Sequence, residues 1–401
     1  MVRLSPRLRP MWPYLKPAYT QATRMVAPVT VKASQLRGGY LPTGYVESME
    51  EAAATSGGTC RTVRRPETIE RSLPTGHPDR SADYVPWLHE HVRRVAVAEL
   101  PHGRVLSPHN AVITGNDDLL VELSLYFGTS RAREHPIFLH PFPGLPLEVG
   151  GRLGALALQG DSNYYHFVMD VLPRLGVLEQ CPDVAPPDLW YAPKGEEFQC
   201  ELLTMMGLDL SQVIDSSQTR HVVAETLVVA SPPAMVVINP PWSIEYLRAK
   251  LLPTPIGRVE GKAIYVKRGG GMNNRRVDNE EELMDYLTGR GFEVMQPEKL
   301  HAGEKIEAFA QASLIVGAHS AGLVNVVFAS PGAAVVELFP SGGINACYWK
   351  LAQAVPGVDY RYVLGHGDPQ SVSLSEFLVS DIQADIPAIG RTLDDLGWPS
   401  S

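Results

Sequence analysis

"LIVGAHSAGLVNVVF", Leu314 to Phe328, passes from an apolar run through Gly-Ala-His-Ser-Ala-Gly into a second apolar run. This pattern reads as a buried strand that ends in small residues and re-enters as a short helix. Such a turn points the N–H groups of the helix's first residues at whatever sits above it, and phosphate is the usual occupant. The flanking sequence repeats the same alternation. "AIYVK" from Ala263 reads as a buried strand, "GGGMNN" as a loop, "NEEELMDYLTGRG" as a helix with Asn279 at its N-cap, and "FEVM" as the next strand. A helix over "GEKIEAFAQA", the strands "LIVG" and "AVVELF", a helix over "NACYWKLAQA" and the strand "YRYVL" complete the series. Continuous Val/Ile/Leu strands separated by helices are what a parallel sheet covered on both faces demands. Residues 254–365 are therefore expected to form a doubly wound, Rossmann-like domain. Its ligands should lie outside the carboxyl ends of the strands, where Arg268, His319 and Glu337 fall.

Upstream, residues 80–253 read as a second α/β domain. It opens with the hairpin-like "AVITGNDDLLVELSLYFG" and continues through the strand "LGALALQG", the helical pattern "NYYHFVMDVLPRLGVLEQ", the strand "DLWYA" and the helix "GEEFQCELLTMMG". The proline-punctuated end of "PPWSIEYLRAKLLPTP" places the boundary near Pro253. Residues 1–79 read as an arm and lead-in segment, and residues 366–401 as a helical tail packing back on the body.

A chain of 401 residues, 44% hydrophobic and 20% charged, has the size and composition of two globular domains. Its formal charge of −9 argues against a protein that works by neutralising nucleic-acid phosphates. Cys60, Cys181, Cys200 and Cys347 are widely spaced and form no C-x-x-C pair, which fits a reducing cytoplasm better than a disulfide scaffold or a zinc site. No run approaches the roughly 18 apolar residues of a membrane span. Residues 1–37 nevertheless hold Arg3, Arg7, Arg9, Lys16, Arg24, Lys32 and Arg37 and no acidic residue. Peripheral contact with an anionic inner membrane face is one reading of this segment. The prolines at 6, 10, 13 and 17 argue against a clean amphipathic helix and favour a surface-draped arm.

Three groups of residues have the chemistry of a site. "KRGGGMNNRR" sets Lys267, Arg268, Arg275 and Arg276 around a loop containing Gly269 and Gly270, which suits a pyrophosphate or is a solvated basic loop. His319 at the turn offers a donor nitrogen to an anion. Glu337, near the tip of a buried strand, needs partners, and either two ribose hydroxyls or an Arg or Lys would supply them. In the upstream domain His166, Asp170 and Arg174 recur every fourth residue, so on a helix they share one stripe. An imidazole beside a carboxylate can take a proton from an attacking hydroxyl; a solvent-facing polar stripe is the duller account. Pro173 should kink or end that helix near Asp170. No D-x-D sequence occurs, and "HEH" at His89 to His91, read as helical, puts its histidines on different faces, so metal independence is expected.

Taken together and in order, "NYYHFVMDVLPRL", "YVKRGGGMNNRRVDNEEEL" and "GAHSAGLVNVVFASPGAAVVELFP" resemble glycosyltransferase family 61 over residues 150–365. The resemblance implies a GT-B type α/β fold, two Rossmann-like doubly wound domains facing a central cleft. It also implies inversion at the anomeric carbon and a nucleotide-sugar donor, with a UDP-sugar the first candidate and no separate cofactor. Arg268 and Arg276 match the family's arginines, Asn279 and Glu280 its Asn-Glu, and Glu337 the glutamate of the following strand. His319 and Gly322 match its Gly-x-His-x-Ala-Gly turn, with Ala321 in place and Ser320 where glycine is common. His166 and Asp170 match the upstream pair, as base and orienting carboxylate. The acceptor is expected to be a polysaccharide, glycan or natural product, and the Arg, Ala, Val and Pro richness hints at a bacterial chain. Two rivals stand beside this reading. A nicotinamide-dependent oxidoreductase lacks its third glycine in "GGGMNN", and a non-catalytic nucleotide- or glycan-binding partner would have no use for His166 and Asp170.

Overall fold

The structure, a computed structural model, describes residues 12–36, 40–124, 131–140, 142–233, 237–253, 257–269, 276–367, 377 and 380–398. Gly270 and Arg275 lie outside the described residues. Two compact units emerge, Met1–Pro66 with Arg93–Ala234, and Glu67–Val92 with Met235–Ser401.

The second unit holds the turn from which the reading began. Its six-stranded sheet has the order Phe292–Met295, Ala263–Val266, Leu314–Ala318, Ala334–Phe339, Asp359–Leu364, Thr75–His77. Every neighbouring pair is parallel. Ala263–Val266 and Leu314–Ala318 are buried along their whole length, as expected of central strands under crossover helices. The order steps outward from Ala263–Val266 to Phe292–Met295, then back across to Leu314–Ala318. The switch point therefore lies between the carboxyl ends that carry Lys267–Arg268 and His319, which is where ligands bind in such sheets.

Segments that the sequence reading placed elsewhere also pack in this unit. Thr75–His77, assigned to the lead-in, pairs with Asp359–Leu364. A Cβ on Gly76 would come 2.4 Å from the Tyr362 ring, so only glycine lets that strand approach. The Glu90 carboxylate anchors the same segment, with Arg71 Nη1 at 2.7 Å from one oxygen and Lys350 Nζ at 2.5 Å from the other, all three side chains buried. The helix Pro241–Leu251, placed before a boundary near Pro253, donates from Arg248 Nη1 to the carbonyls of Val327 and Ala329 at 2.6 and 2.8 Å. His89–Val92 is a strand paired with Glu67–Glu70, so His89 and His91 share one exposed face, contrary to the helical reading. The helix Ile386–Asp395 buries Ala388, Ile389 and Leu393 with Leu283, Leu287 and Phe292.

The first unit is a ten-stranded mixed sheet and not the doubly wound parallel one expected. Leu147–Ala155 lies parallel to Leu189–Ala192 and to His221–Ala230, with Val213–Asp215 parallel beyond Leu189–Ala192. Val95–Pro101 and Arg104–Leu106 run antiparallel to His221–Ala230. The reason is the length of the connections. Parallel neighbours need a crossover of about a dozen residues. Ala111–Ile113 and Asp118–Leu120 are joined instead by the tight turn at Thr114–Asp117, closed by Asp117 N–H donating to the Thr114 carbonyl at 3.0 Å. At the amino end, Trp12–Gln35 is one helix that runs through Pro17 and Pro28, so the expected draped arm is replaced by a packed element. Thr23, Ala27 and Val31 are buried, the latter two in a cluster with Ile113, Ile137 and Phe138.

Candidate active site

In the first unit the chain leaves Leu147–Ala155 at its carboxyl end and enters a helical run capped by Asn163, whose side chain accepts from the Tyr165 N–H at 2.9 Å. Pro173 does not break this run. The turn Tyr164–His166 widens into a π-helical turn, Phe167–Val171, in which Leu172 N–H reaches back to the Phe167 carbonyl at 3.1 Å, and Pro173 opens the helix Pro173–Glu179. A wide turn absorbs the missing N–H, and such turns recur at functional sites. His166 Nδ1 lies 2.7 Å from Asp170 Oδ2, with the histidine side chain 20% exposed and the aspartate 9%. A proton on Nδ1, donated to that carboxylate, sets the ring's lone pair at Nε2.

Behind the pair stands a buried polar network. Arg174 is buried, and desolvation lowers its pKa to about 10 against the opposing pull of the Asp170 and Asp161 carboxylates. Asp161 Oδ2 accepts from Leu158 N–H at 3.1 Å and from Asn110 Nδ2 at 3.0 Å. Burial dominates there too and pushes the Asp161 carboxyl up to about 7. The polar stripe of His166, Asp170 and Arg174 thus faces inward, which removes the solvent-facing reading.

In the second unit, Ser320 is extended and Ala321–Phe328 forms a 3-10 helix. Gly317 and Gly322 are closely packed: a Cβ would come 2.9 Å from Leu323 Cδ2 at the first and 3.2 Å from Pro297 Cγ at the second. His319 is held from three sides by the rings of Phe339, Tyr348 and Phe377, with centroids 5.4, 5.0 and 5.4 Å away. Its Nδ1 hydrogen-bonds Glu337 Oε1, and Tyr360 Oη donates to Glu337 Oε2 at 2.5 Å. Glu337 has no solvent exposure, so ribose hydroxyls do not reach it, and the carboxylate orients His319.

Arg268 comes to the same turn, donating from Nη1 to the His319 carbonyl, and burial lowers its pKa. Asp381 links it to Arg276: its carboxylate accepts from the Arg276 N–H at 2.7 Å and acts electrostatically on Arg268. Lys267 Nζ instead lies 3.5 Å from Glu280 Oε2, and a Cβ on Gly269 would come 2.8 Å from Glu298 Oε2. Asn279 occupies the N-cap position without capping. Its amide donates to the Ala384 carbonyl at 3.1 Å and to Glu282 Oε2 at 3.4 Å and accepts from the Ala384 N–H at 2.8 Å, which ties it to the segment after Asp381.

The structure therefore brings Arg268, His319, Ser320 and Ala321 together and sets Asn279 apart. Tyr360 escaped the sequence reading; the signal was a carboxylate in a central strand, whose donors must come from its neighbours. Gly317 is the register partner of Glu337 on one side and Tyr362 on the other, so His319 and Tyr360, each two residues off, are those donors.

Comparison with known proteins covers the region that carries the His166–Asp170 pair and His319 and ends at the residue before Glu337. Residues 164–336 match the sequence profile of the family described as Glycosyltransferase 61. Over 96 residues the chain is 33% identical to protein O-linked-mannose beta-1,4-N-acetylglucosaminyltransferase 2 of Danio rerio, a match that spans 22% of this chain and 16% of that protein. An E. coli heptosyltransferase solved with ADP aligns over 63% of this chain and 98% of its own at 11% identity, with a TM-score of 0.30, too loose to carry an argument. The stretch holding His166, Asp170, Arg268 and His319 is thus similar to glycosyltransferase family 61, and the enzyme class these matches support is a glycosyltransferase.

Proposed function

We propose that the chain is an inverting, metal-independent glycosyltransferase. It would move a sugar from a nucleotide-sugar donor, a UDP-sugar first among candidates, to a hydroxyl of a polysaccharide, glycan or natural product. The observation that carries the reading is the 2.7 Å contact between His166 Nδ1 and Asp170 Oδ2 inside the stretch similar to family 61. His166 Nε2 takes the acceptor's proton while Asp170 stabilises the imidazolium that forms. The acceptor oxygen bonds to the anomeric carbon from the face opposite the leaving group, and the bond from that carbon to the phosphate oxygen breaks. Charge develops on the departing diphosphate. Arg268, His319 and the backbone at Ser320–Ala321 would stabilise it, with Glu337 orienting the His319 ring through Nδ1.

A panel of UDP-, GDP- and dTDP-sugars screened by thermal shift identifies the donor, since a ligand that binds the folded state raises its melting point. With that donor, His166→Ala and Asp170→Asn are each expected to lower turnover by about 100-fold or more, with melting points kept, and EDTA is expected to leave the rate unchanged. Near-normal turnover in both variants would remove the pair from the mechanism.

A further inference from the structure

The helix Trp12–Gln35 has two opposite faces, and only one is used by the fold. Thr23, Ala27, Val31 and Ser34 are buried on the inner side. Met25, Val29 and Leu36 are 73%, 69% and 80% exposed. At 3.6 residues per turn these three fall within about 40° of one another, so they make a single stripe roughly opposite the buried face. Leu36 stays in register because its N–H donates to the Lys32 carbonyl at 3.2 Å. Exposed Lys32 borders the stripe about 40° from its centre, exposed Arg24 lies on the helix flank between the stripe and the packed face, and the helix contains no acidic residue. In the sequence Arg3, Arg7 and Arg9 precede this helix and Arg37 follows it, in a chain whose total charge is −9. An apolar stripe bordered by cations alone, on a helix whose other face is fixed to a folded core, matches a surface that is greasy within and negative at its rim.

From this pairing of stripe and charge we infer that the outward face of Trp12–Gln35 docks on an anionic lipid surface. The helix lies in the interface plane, with Met25, Val29 and Leu36 entering the acyl boundary and Arg24 and Lys32 on the headgroups. It does not cross the bilayer: among the described residues no helix is long and apolar enough to do so. Pro28 belongs to the same outward side. It denies the Arg24 carbonyl its helical N–H partner, and that carbonyl then sits at headgroup depth, where water can satisfy it.

The test is co-sedimentation of the full chain with phosphatidylcholine–phosphatidylglycerol vesicles and with vesicles of phosphatidylcholine alone. Binding is expected on the mixed vesicles, weakened at high salt and at least about tenfold stronger than on neutral ones, because each basic residue at such a surface strengthens binding about fivefold. The variant Met25→Gln/Val29→Gln/Leu36→Gln should lose it with an unchanged melting point. Arg24→Gln/Lys32→Gln should lower affinity about 25-fold and flatten the salt dependence. Equal binding to both vesicle types, no binding by the parent chain, or a triple variant that binds as the parent does would each overturn the inference. So would a concentration-dependent dimer that the triple variant abolishes, since a second copy would then be the stripe's occupant.

Discussion

Asp161 gives the molecule a pH dependence whose sign and size follow from its surroundings. Its carboxyl, ordinarily at 3.8, is held up near 7 by burial in spite of Leu158, Asn110 and Arg174. Between those values the folded chain keeps a proton that the unfolded chain has lost, so stability falls as pH rises through this window and levels off above it. The full span corresponds to about 4 kcal/mol against the folded state above neutral pH, and the part between pH 5 and pH 8 to about 2.5 kcal/mol. Asp161→Asn removes the titration while keeping an acceptor oxygen for Leu158 and Asn110. Its new N–H pair needs acceptors, a cost of about 1–2 kcal/mol that is independent of pH. The variant is therefore expected to be about 2–3 kcal/mol more stable than the parent at pH 8 and close to it at pH 5. Urea denaturation at both values measures the difference. An identical gap between variant and parent at pH 5 and pH 8 would show that Asp161 ionises normally, and the account of a buried charge network behind His166 and Asp170 would fall with it.

Three further substitutions separate support from ligand contact in the second unit. Glu337→Gln takes the charge from a buried acceptor of two hydrogen bonds and should cost about 2–4 kcal/mol, with UDP affinity by calorimetry falling as His319 loses its orientation. Tyr360→Phe keeps the bond to His319, should cost about 1–2 kcal/mol and should weaken UDP far less; equal losses of affinity in the two would refute the assignment of Glu337 to His319. Asn279→Ala breaks both links to Ala384 and should lower stability by about 2 kcal/mol with UDP affinity unchanged, whereas a selective loss of UDP binding would return Asn279 to the donor site.

The parts of the fold that could be read were those whose local pattern and tertiary role agree. Leu314–Ala318 and Ala263–Val266 are apolar throughout because both faces are covered, so their sequence states their environment directly. Thr75–His77 could not be read in this way. Three residues with a glycine in the middle have no periodicity, and their place at the sheet edge is set by the Tyr362 ring nearly three hundred positions away. The short strands of the first unit fail for the same reason: Arg104–Leu106, Ala111–Ile113 and Asp118–Leu120 are too brief to show whether neighbours run parallel or antiparallel. The prolines of the first helix misled in the opposite direction. Pro28 counts against a helix by propensity, yet it is exposed and Ala27 beside it is buried, so packing on one face outweighs a missing bond on the other. At the site, residue types were legible and pairings were not. His319 and Glu337 were each singled out for a ligand, whereas the structure pairs them with one another through His319 Nδ1, and Tyr360 completes the carboxylate's partners.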